Sequence, residues 1–325
     1  MLARRTAGLL VVALTGVCLA PRPALAWDDF AHMEIAAVAW KTLTPQARAR
    51  ASALLAVGPE YARWAMWTKR VDRDRVAFER AATWADHLKN DPRYAAPDPQ
   101  GAPSAWQNIG YRDRLRHAYW HYVDQPLSFD GTPGPPPRAP NLATQLRALR
   151  AALADPKTPD EVKSYDLVWL LHLVGDAHQP LHCASRYSTA DRDGDRGGNE
   201  VLITGNVLPA VCEDRHHCSL GPPEKLHTFF DTVAGAGDRI ASVDAAAARL
   251  PKAAPAQATV LDERAWIAEG FELARTRIYV APIGPGDGPF AISPAYQAGA
   301  SALAEARIAL AGARLAGVLN ETLGR

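Results

Sequence analysis

Between Trp169 and His182 the chain reads Trp-Leu-Leu-His-Leu-Val-Gly-Asp-Ala-His-Gln-Pro-Leu-His. A run this apolar at helical spacing has to face the interior of a fold, yet it carries His172 and Asp176 four positions apart, on one helix face. An unpartnered polar group buried there costs about 1–3 kcal/mol. The pair therefore demands a metal ion or a complete hydrogen-bond network. Pro180 stops the helix, so His182 emerges from the following turn, displaced from the first pair and free to meet a second metal.

The rest of the chain supports a mainly α, single-domain helical fold with a small β-hairpin. Apolar residues recur at helical spacing in most segments, and strand-like alternation is almost absent. This predicts helices near 29–43, 45–56, 73–90, 110–123, 141–154, 159–178, 223–235, 262–279 and 294–322. Thr44-Pro45 and Ser293-Pro294 mark two helix starts, and Thr158-Pro159-Asp160-Glu161 reads as a capping box with Pro at the first helical position. The stretches 91–106 and 126–140 concentrate Pro, Gly and Asp and read as surface loops. The strand-like piece is Glu200–Thr204, after Gly197-Gly198-Asn199, with a hairpin through Cys218 to follow it. No internal repeat is evident.

Composition limits the partners. The 325 residues hold 36 Lys and Arg against 35 Asp and Glu, a formal charge of +1. Arg4 and Arg5 precede an apolar run from Ala7 to Ala20, and Ala24-Leu25-Ala26 forms a cleavage pattern, so residues 1–26 read as a removable secretory signal. Without its three arginines, residues 27–325 carry 33 basic and 35 acidic residues, about −2. Binding of nucleic acid through bulk charge is disfavoured. No later stretch reaches the roughly 18 apolar residues of a membrane span. The expectation is a soluble, secreted or periplasmic protein, and Arg4-Arg5 also allows twin-arginine export. Cys18 leaves with the signal; of the remaining three, Cys212–Cys218 is the preferred bridge, with Cys183 to either one the alternative.

Further candidate ligands share the setting of His172 and Asp176. His227 and Asp231 repeat the four-residue spacing, Asp86 sits among apolar residues in Thr83-Trp84-Ala85-Asp86, and His121 does so in Tyr119-Trp120-His121-Tyr122-Val123-Asp124. Each alone reads equally as an ion pair or a packed core residue. Together they form a nitrogen and oxygen donor set without paired cysteines, which suits zinc in a catalytic role. Cleavage after Ala26 would expose the α-amine of Trp27, which with its own carbonyl can chelate a metal, and His32 can complete that site.

At these residues the chain resembles the zinc-dependent single-strand-specific nucleases of the mung bean nuclease type, within the zinc-dependent phospholipase C superfamily. The resemblance runs from Trp27-x4-His32 through Trp84-Ala-Asp86, His121-Tyr-Val-Asp124, His172-x3-Asp176-x2-Gln179-Pro-Leu-His182, Gly197-Gly-Asn199 and Leu226-His227-x3-Asp231, ending with Ala311 to Asn320 in the last helix. It implies three Zn²⁺: one on Asp86, His121, His172 and Asp176; a second on His182, His227 and Asp231; a third on the amine and carbonyl of Trp27, His32 and the second oxygen of Asp176. Three dications against three aspartates make the site locally cationic in a nearly neutral protein.

The resemblance further implies that Asp124 orients the attacking water as a non-ligand carboxylate. Lys89, where related nucleases commonly carry Arg, would stabilise transition-state charge. Tyr122 is placed to stack on a nucleobase, Thr232 stands where many relatives carry a base-reading amide, and Phe230 replaces the usual Trp. His117 and His178 are not assigned as ligands, His87 has no evident partner, and Asp191, Asp193 and Asp195 read as a solvated turn. The expected enzyme is a secreted monomer cutting single-stranded DNA or RNA to 5′-phosphorylated products and removing 3′-phosphates from nucleotides, without stable membrane association. Two alternatives remain at this stage: a phospholipase C, against which the scarcity of exposed-looking apolar loops counts, and a secreted metal-binding protein without turnover.

Overall fold

The computed structural model describes residues 27–94, 98–208, 212–214, 217–218 and 222–324. The signal segment 1–26 lies outside the described residues. Helices α1 (Asp29–Thr42), α2 (Pro45–Val57), α3 (Tyr61–Trp64), α4 (Arg73–Ala81), α5 (Trp84–His87), α6 (Leu142–Ala154), α7 (Asp160–Asp176), α8 (Leu226–Thr232), α9 (Ile240–Ala247), α10 (Pro255–Ala258), α11 (Glu263–Leu273) and α12 (Pro294–Leu323) make up most of it. Strands pair in twos. Strands β1 (Pro126–Ser128) and β2 (Ser185–Tyr187) are parallel, as are β3 (Ile203–Thr204) and β6 (Phe290–Ala291), while β4 (Cys212–Asp214) and β5 (His217–Cys218) form an antiparallel hairpin.

Helix α7 is the axis of the fold. From Lys163 to Asp176 every residue is buried, and α1, α2, α5, α6 and α12 pack against it. Such all-round apolarity is what a helix at the centre of a core requires. Trp169 meets Trp84 and Trp120 edge-on at 6.1 and 4.9 Å, a preferred aromatic geometry. No helix among the described residues is long and apolar enough to cross a membrane.

Two of the predicted helix starts are built as expected. Thr44 Oγ1 accepts from Ala47 N at 3.1 Å and Ser293 Oγ from Tyr296 N at 3.1 Å. At α7 the expected capping box does not form: Pro159 occupies the cap position in extended conformation, the helix opens at Asp160 with no side-chain cap, and acids at Asp160 and Glu161 face its positive end.

Three larger departures matter for the site. The segment 73–90 is broken at Ala82–Thr83, where Thr83 Oγ1 donates to the Arg80 carbonyl, and continues as α5 and a 3₁₀ turn over Leu88–Asn90. The segment 110–123 is not a helix. Gly110 and His117 adopt positive φ (65° and 48°), leaving 3₁₀ turns at Gly110–Arg112 and Ala118–Trp120, because left-handed residues interrupt helical hydrogen bonding. The loop 126–140 opens as strand β1, too short to show alternation. Helices α3, α9 and α10 were also unforeseen, and α11 ends in a π turn over Ala274–Ile278. The Glu200–Thr204 piece contributes β3, which pairs with β6 rather than within a hairpin. The hairpin sets Cys212 opposite Cys218 in backbone register. Their side chains lie outside the described residues, whereas Cys183 is a buried free thiol.

Candidate metal centre

His172 and Asp176 sit on the last turns of α7 facing Asp86 of α5 and His121, which follows the 118–120 turn. His172 Nε2 is 3.5 Å from Asp86 Oδ1, 3.3 Å from Asp176 Oδ2 and 3.1 Å from His121 Nδ1. His121 Nδ1 lies 3.0 Å from Asp176 Oδ2 and 3.6 Å from Asp86 Oδ1. On the other side of Asp176, His32 from α1 brings Nε2 to 3.5 Å from Oδ1 and stacks on His172 with centroids 3.8 Å apart. A third group joins His182 with His227 and Asp231 of α8, where His227 Nε2 is 3.5 Å from Asp231 Oδ2. Each of the three groups could hold a metal ion; His172 belongs to both of the first two, and Asp176 lies against His32 on one side and His121 on the other.

The backbone fixes which ring nitrogen faces inward. His172 Nδ1 is 2.7 Å from the Ala82 carbonyl, freed by the break between α4 and α5; His182 Nδ1 is 2.7 Å from the His121 carbonyl; His227 Nδ1 is 2.6 Å from the Gly197 carbonyl. An Nδ1–H donated to a carbonyl leaves Nε2 as the lone-pair donor, the usual support for a metal-binding histidine. Two glycines permit this closeness. A Cβ on Gly175 would stand 2.8 Å from His32 Nδ1, and one on Gly197, at φ 64°, would stand 2.4 Å from the Leu181 carbonyl oxygen.

The donor set fits a divalent metal. Both nitrogens of His32, Nε2 of His121 and His182, and Oδ1 of Asp176 and Oδ2 of Asp231 are buried without a hydrogen-bond partner. Burial drives the Asp231 carboxyl well above the usual carboxylate range. Burial likewise opposes ionisation of Asp176, but His172 and His182 hold its carboxyl well below that range. Imidazole and carboxylate donors at this density satisfy one another poorly, and a cation offers each of them a partner.

Trp27 is fully buried, its Nε1–H donating to the Gly175 carbonyl at 3.0 Å, and Asp28 N donates to the Asp231 carbonyl at 3.1 Å. The start of the described chain is thereby held between α7 and α8, on the His32 side of the cluster.

A cavity of about 110 Å³ opens on these groups, lined in part by Lys89, His121, Tyr122, Asp124, His182 and His227. Lys89 Nζ lies 2.5 Å from Asp86 Oδ1. Asp124 is half-buried; burial pushes its carboxyl up to about 6, Asp195 adding to the shift and Arg196 opposing it. Thr232 does not line this cavity: it is buried, and its hydroxyl donates to the Thr228 carbonyl at 2.8 Å. Phe230 is buried against Phe229.

Arg196 and Asn199 also line the cavity and were not singled out from the sequence. Asn199 stood inside the Gly-Gly-Asn block, but Arg196 gave no signal, because its place depends on a left-handed backbone at φ 54°. Several other polar residues have definite partners. His87 pairs with Asp29 at 3.0 Å, His178 with Arg314 at 3.0 Å and with the Val174 carbonyl, and His117 with Asp113 at 2.8 Å. Asp195 is buried and accepts from Arg186 N, so only the Asp191 end of that turn is solvated. Residues 209–211, 215–216 and 219–221, around the Cys212–Cys218 hairpin, lie outside the described residues.

A model of the S1/P1 Nuclease family matches residues 27–324. No curated protein matches the chain.

Proposed function

The chain belongs to the S1/P1 nuclease family, metal-dependent hydrolases of phosphodiester bonds, and from that premise we propose that it is a three-zinc enzyme cleaving single-stranded DNA and RNA to 5′-phosphorylated products and removing 3′-phosphates from nucleotides. The observation that carries the reading is one cavity lined by His121, from one His/Asp group, by His182 and His227, from another, and by a non-ligand carboxylate, Asp124, with the His32 group sharing His172 with the first. Asp86, His121, His172 and Asp176 would hold one ion, His182, His227 and Asp231 a second, and His32, Asp176 and the amine and carbonyl of Trp27 a third. Zinc bound there would supply Lewis acidity toward phosphate oxygens and lower the pKa of water toward neutrality.

The chain's own residues do the rest. Asp124, raised to about 6, accepts a proton from the water that attacks phosphorus and orients it. The new P–O bond forms as the P–O3′ bond breaks, leaving a 5′-phosphate and a 3′-hydroxyl that takes its proton from solvent. Lys89 places an ammonium beside the developing charge, without the planar two-point fork of an arginine. Tyr122 offers a ring on which a base can stack, which requires that the base be unpaired. A terminal 3′-phosphate presents the same bond, so the same geometry serves 3′-nucleotides.

A panel of metal-loaded protein with single-stranded DNA, RNA, 3′-nucleotides and phosphatidylcholine tests the reading. Turnover of the nucleic acids and nucleotides is expected; cleavage of the lipid alone would replace it with a phospholipase C, and no turnover at all with a metal-binding protein. The leader and export belong to the same proposal, because only removal of residues 1–26 frees the Trp27 amine. One extra residue before Trp27 should lower zinc content and rate together. Unchanged zinc and rate would remove Trp27 from the site.

A further inference from the structure

A second recess, away from the metal groups, is built on α3 and the loop that follows it. It is a shallow recess of about 710 Å³, open to solvent and lined by Tyr61, Met66, Trp67, Lys69 and Arg73 among others. Trp67 is 91% exposed and Val71 87%, although a tryptophan normally gains by burying most of its surface. The exposure is constructed. Trp67 stands at φ 60°, and the Arg80 guanidinium holds two carbonyls of the chain leading into it, Trp64 at 2.9 Å and Met66 at 2.7 Å. This loop also corrects the expectation that exposed apolar loops are scarce.

The rim is cationic. Lys69, Arg70 and Arg73 are exposed and make no ion pair among the described residues, whereas neighbouring Arg75 is consumed by Asp72, Glu79 and Asp244. Beside the recess, Arg93 bonds Glu60 at the start of α3 at 2.8 Å. An aromatic ring held out beside unpaired cations in a concavity matches a single strand, whose bases stack while its phosphates meet the charges. Lys69, Arg70 and Arg73 follow the ring along the chain, all exposed, which suits the successive phosphates of a strand.

We propose that the recess around Trp67 is a secondary binding site for the single-stranded substrate, seating an unpaired base on Trp67 and the flanking phosphates on Lys69, Arg70 and Arg73. It rests on the nuclease reading above and extends it to strands long enough to leave the cleft. The test compares a dinucleotide with a single strand of about 20 nucleotides as substrates for wild type, Trp67→Ala and the double variant Lys69→Glu/Arg73→Glu.

Both variants should raise KM for the long strand about tenfold while kcat and the dinucleotide kinetics stay as in wild type. In the double variant the log–log salt dependence of long-strand binding should flatten by about 1.4. Equal KM values for the long strand in all three proteins would overturn the inference while leaving the nuclease reading intact. So would loss of binding to phosphatidylglycerol vesicles in the variants with strand kinetics unchanged, which would assign the recess to a lipid surface. A wild type that cleaves neither substrate would sink the nuclease reading, and this inference with it.

Discussion

The two sides of the metal centre are made in different ways. His172 and Asp176 stand on α7, a buried regular helix whose four-residue spacing alone puts both on one face. His121 follows the 3₁₀ turn at Ala118–Trp120, His182 closes another at Pro180–His182, and Gly197, whose carbonyl orients His227, stands in a left-handed turn. The helical side is rigid because the core is packed around it. The turn side is rigid because a polar network ties it down: His117, at φ 48°, bonds Asp113 and Tyr119 at 2.8 and 3.0 Å and stacks on Trp120 at 3.7 Å. Helical ligands come from periodicity, whereas turn ligands come from long-range contacts, so the two sides should fail differently when disturbed.

The largest effect is expected on the helical side. Asp176→Ala removes the carboxylate that links two of the three groups, and should cost activity well beyond the about 10–100-fold typical of a lost supporting partner. Metal analysis should find the Asp86 and His32 groups depleted together; depletion of one alone would show that Asp176 does not bridge them. Asp124→Asn comes next, with a rate loss of about 10²–10⁴-fold and zinc content unchanged. Because the Asp124 carboxyl is raised to about 6 and must be ionised to accept a proton, the wild-type rate should fall as pH drops through 6. A variant rate with the same acid limb would assign that limb to another group.

His117→Ala probes how the turn is held. It should loosen the 118–121 turn and weaken metal at the Asp86/His121 group about 10–100-fold, leaving the His182/His227/Asp231 group loaded. Equal weakening of all groups would mean that the network supports the whole fold rather than that turn.

The smallest effect concerns a second buried acid on α7, Asp166, which has no metal group beside it. Burial pushes its carboxyl up to about 7, with Asn108 and Lys163 offsetting part of the shift. Its folded-state value is raised, so its contribution is fully present below the usual carboxylate range and is lost as pH rises through 7. Asp166→Asn should therefore leave Tm unchanged near pH 4 and raise it by about 2–6 °C at pH 8. A Tm difference independent of pH would show that Asp166 is ionised in the fold.

Much of the centre was readable because its ligands lie in local patterns. His172/Asp176 and His227/Asp231 show helical spacing, and Pro180 marks where His182 leaves the helix. What could not be read depends on backbone conformations without a residue-type signature. Positive φ at His117 and Arg196, non-glycine residues, turned a predicted helix into turns and brought an arginine to the cavity. The break at Ala82–Thr83 falls inside a good helical pattern, yet it frees the carbonyl that orients His172. The partners of His87 and His178 are distant in the chain, Asp29 and Arg314, so no local pattern could show them.

The sequence by itself determined that this chain builds a helical core around buried histidines and aspartates, because apolar periodicity and the cost of unpaired burial are properties of short segments. Only the tertiary structure decided which nitrogen of His172, His182 and His227 faces inward, that Arg196 lines the cavity, and that Trp67 stands exposed among unpaired cations. Those outcomes depend on carbonyls, turns and side chains that meet across the fold, where hydrogen-bond geometry rather than residue type makes the choice.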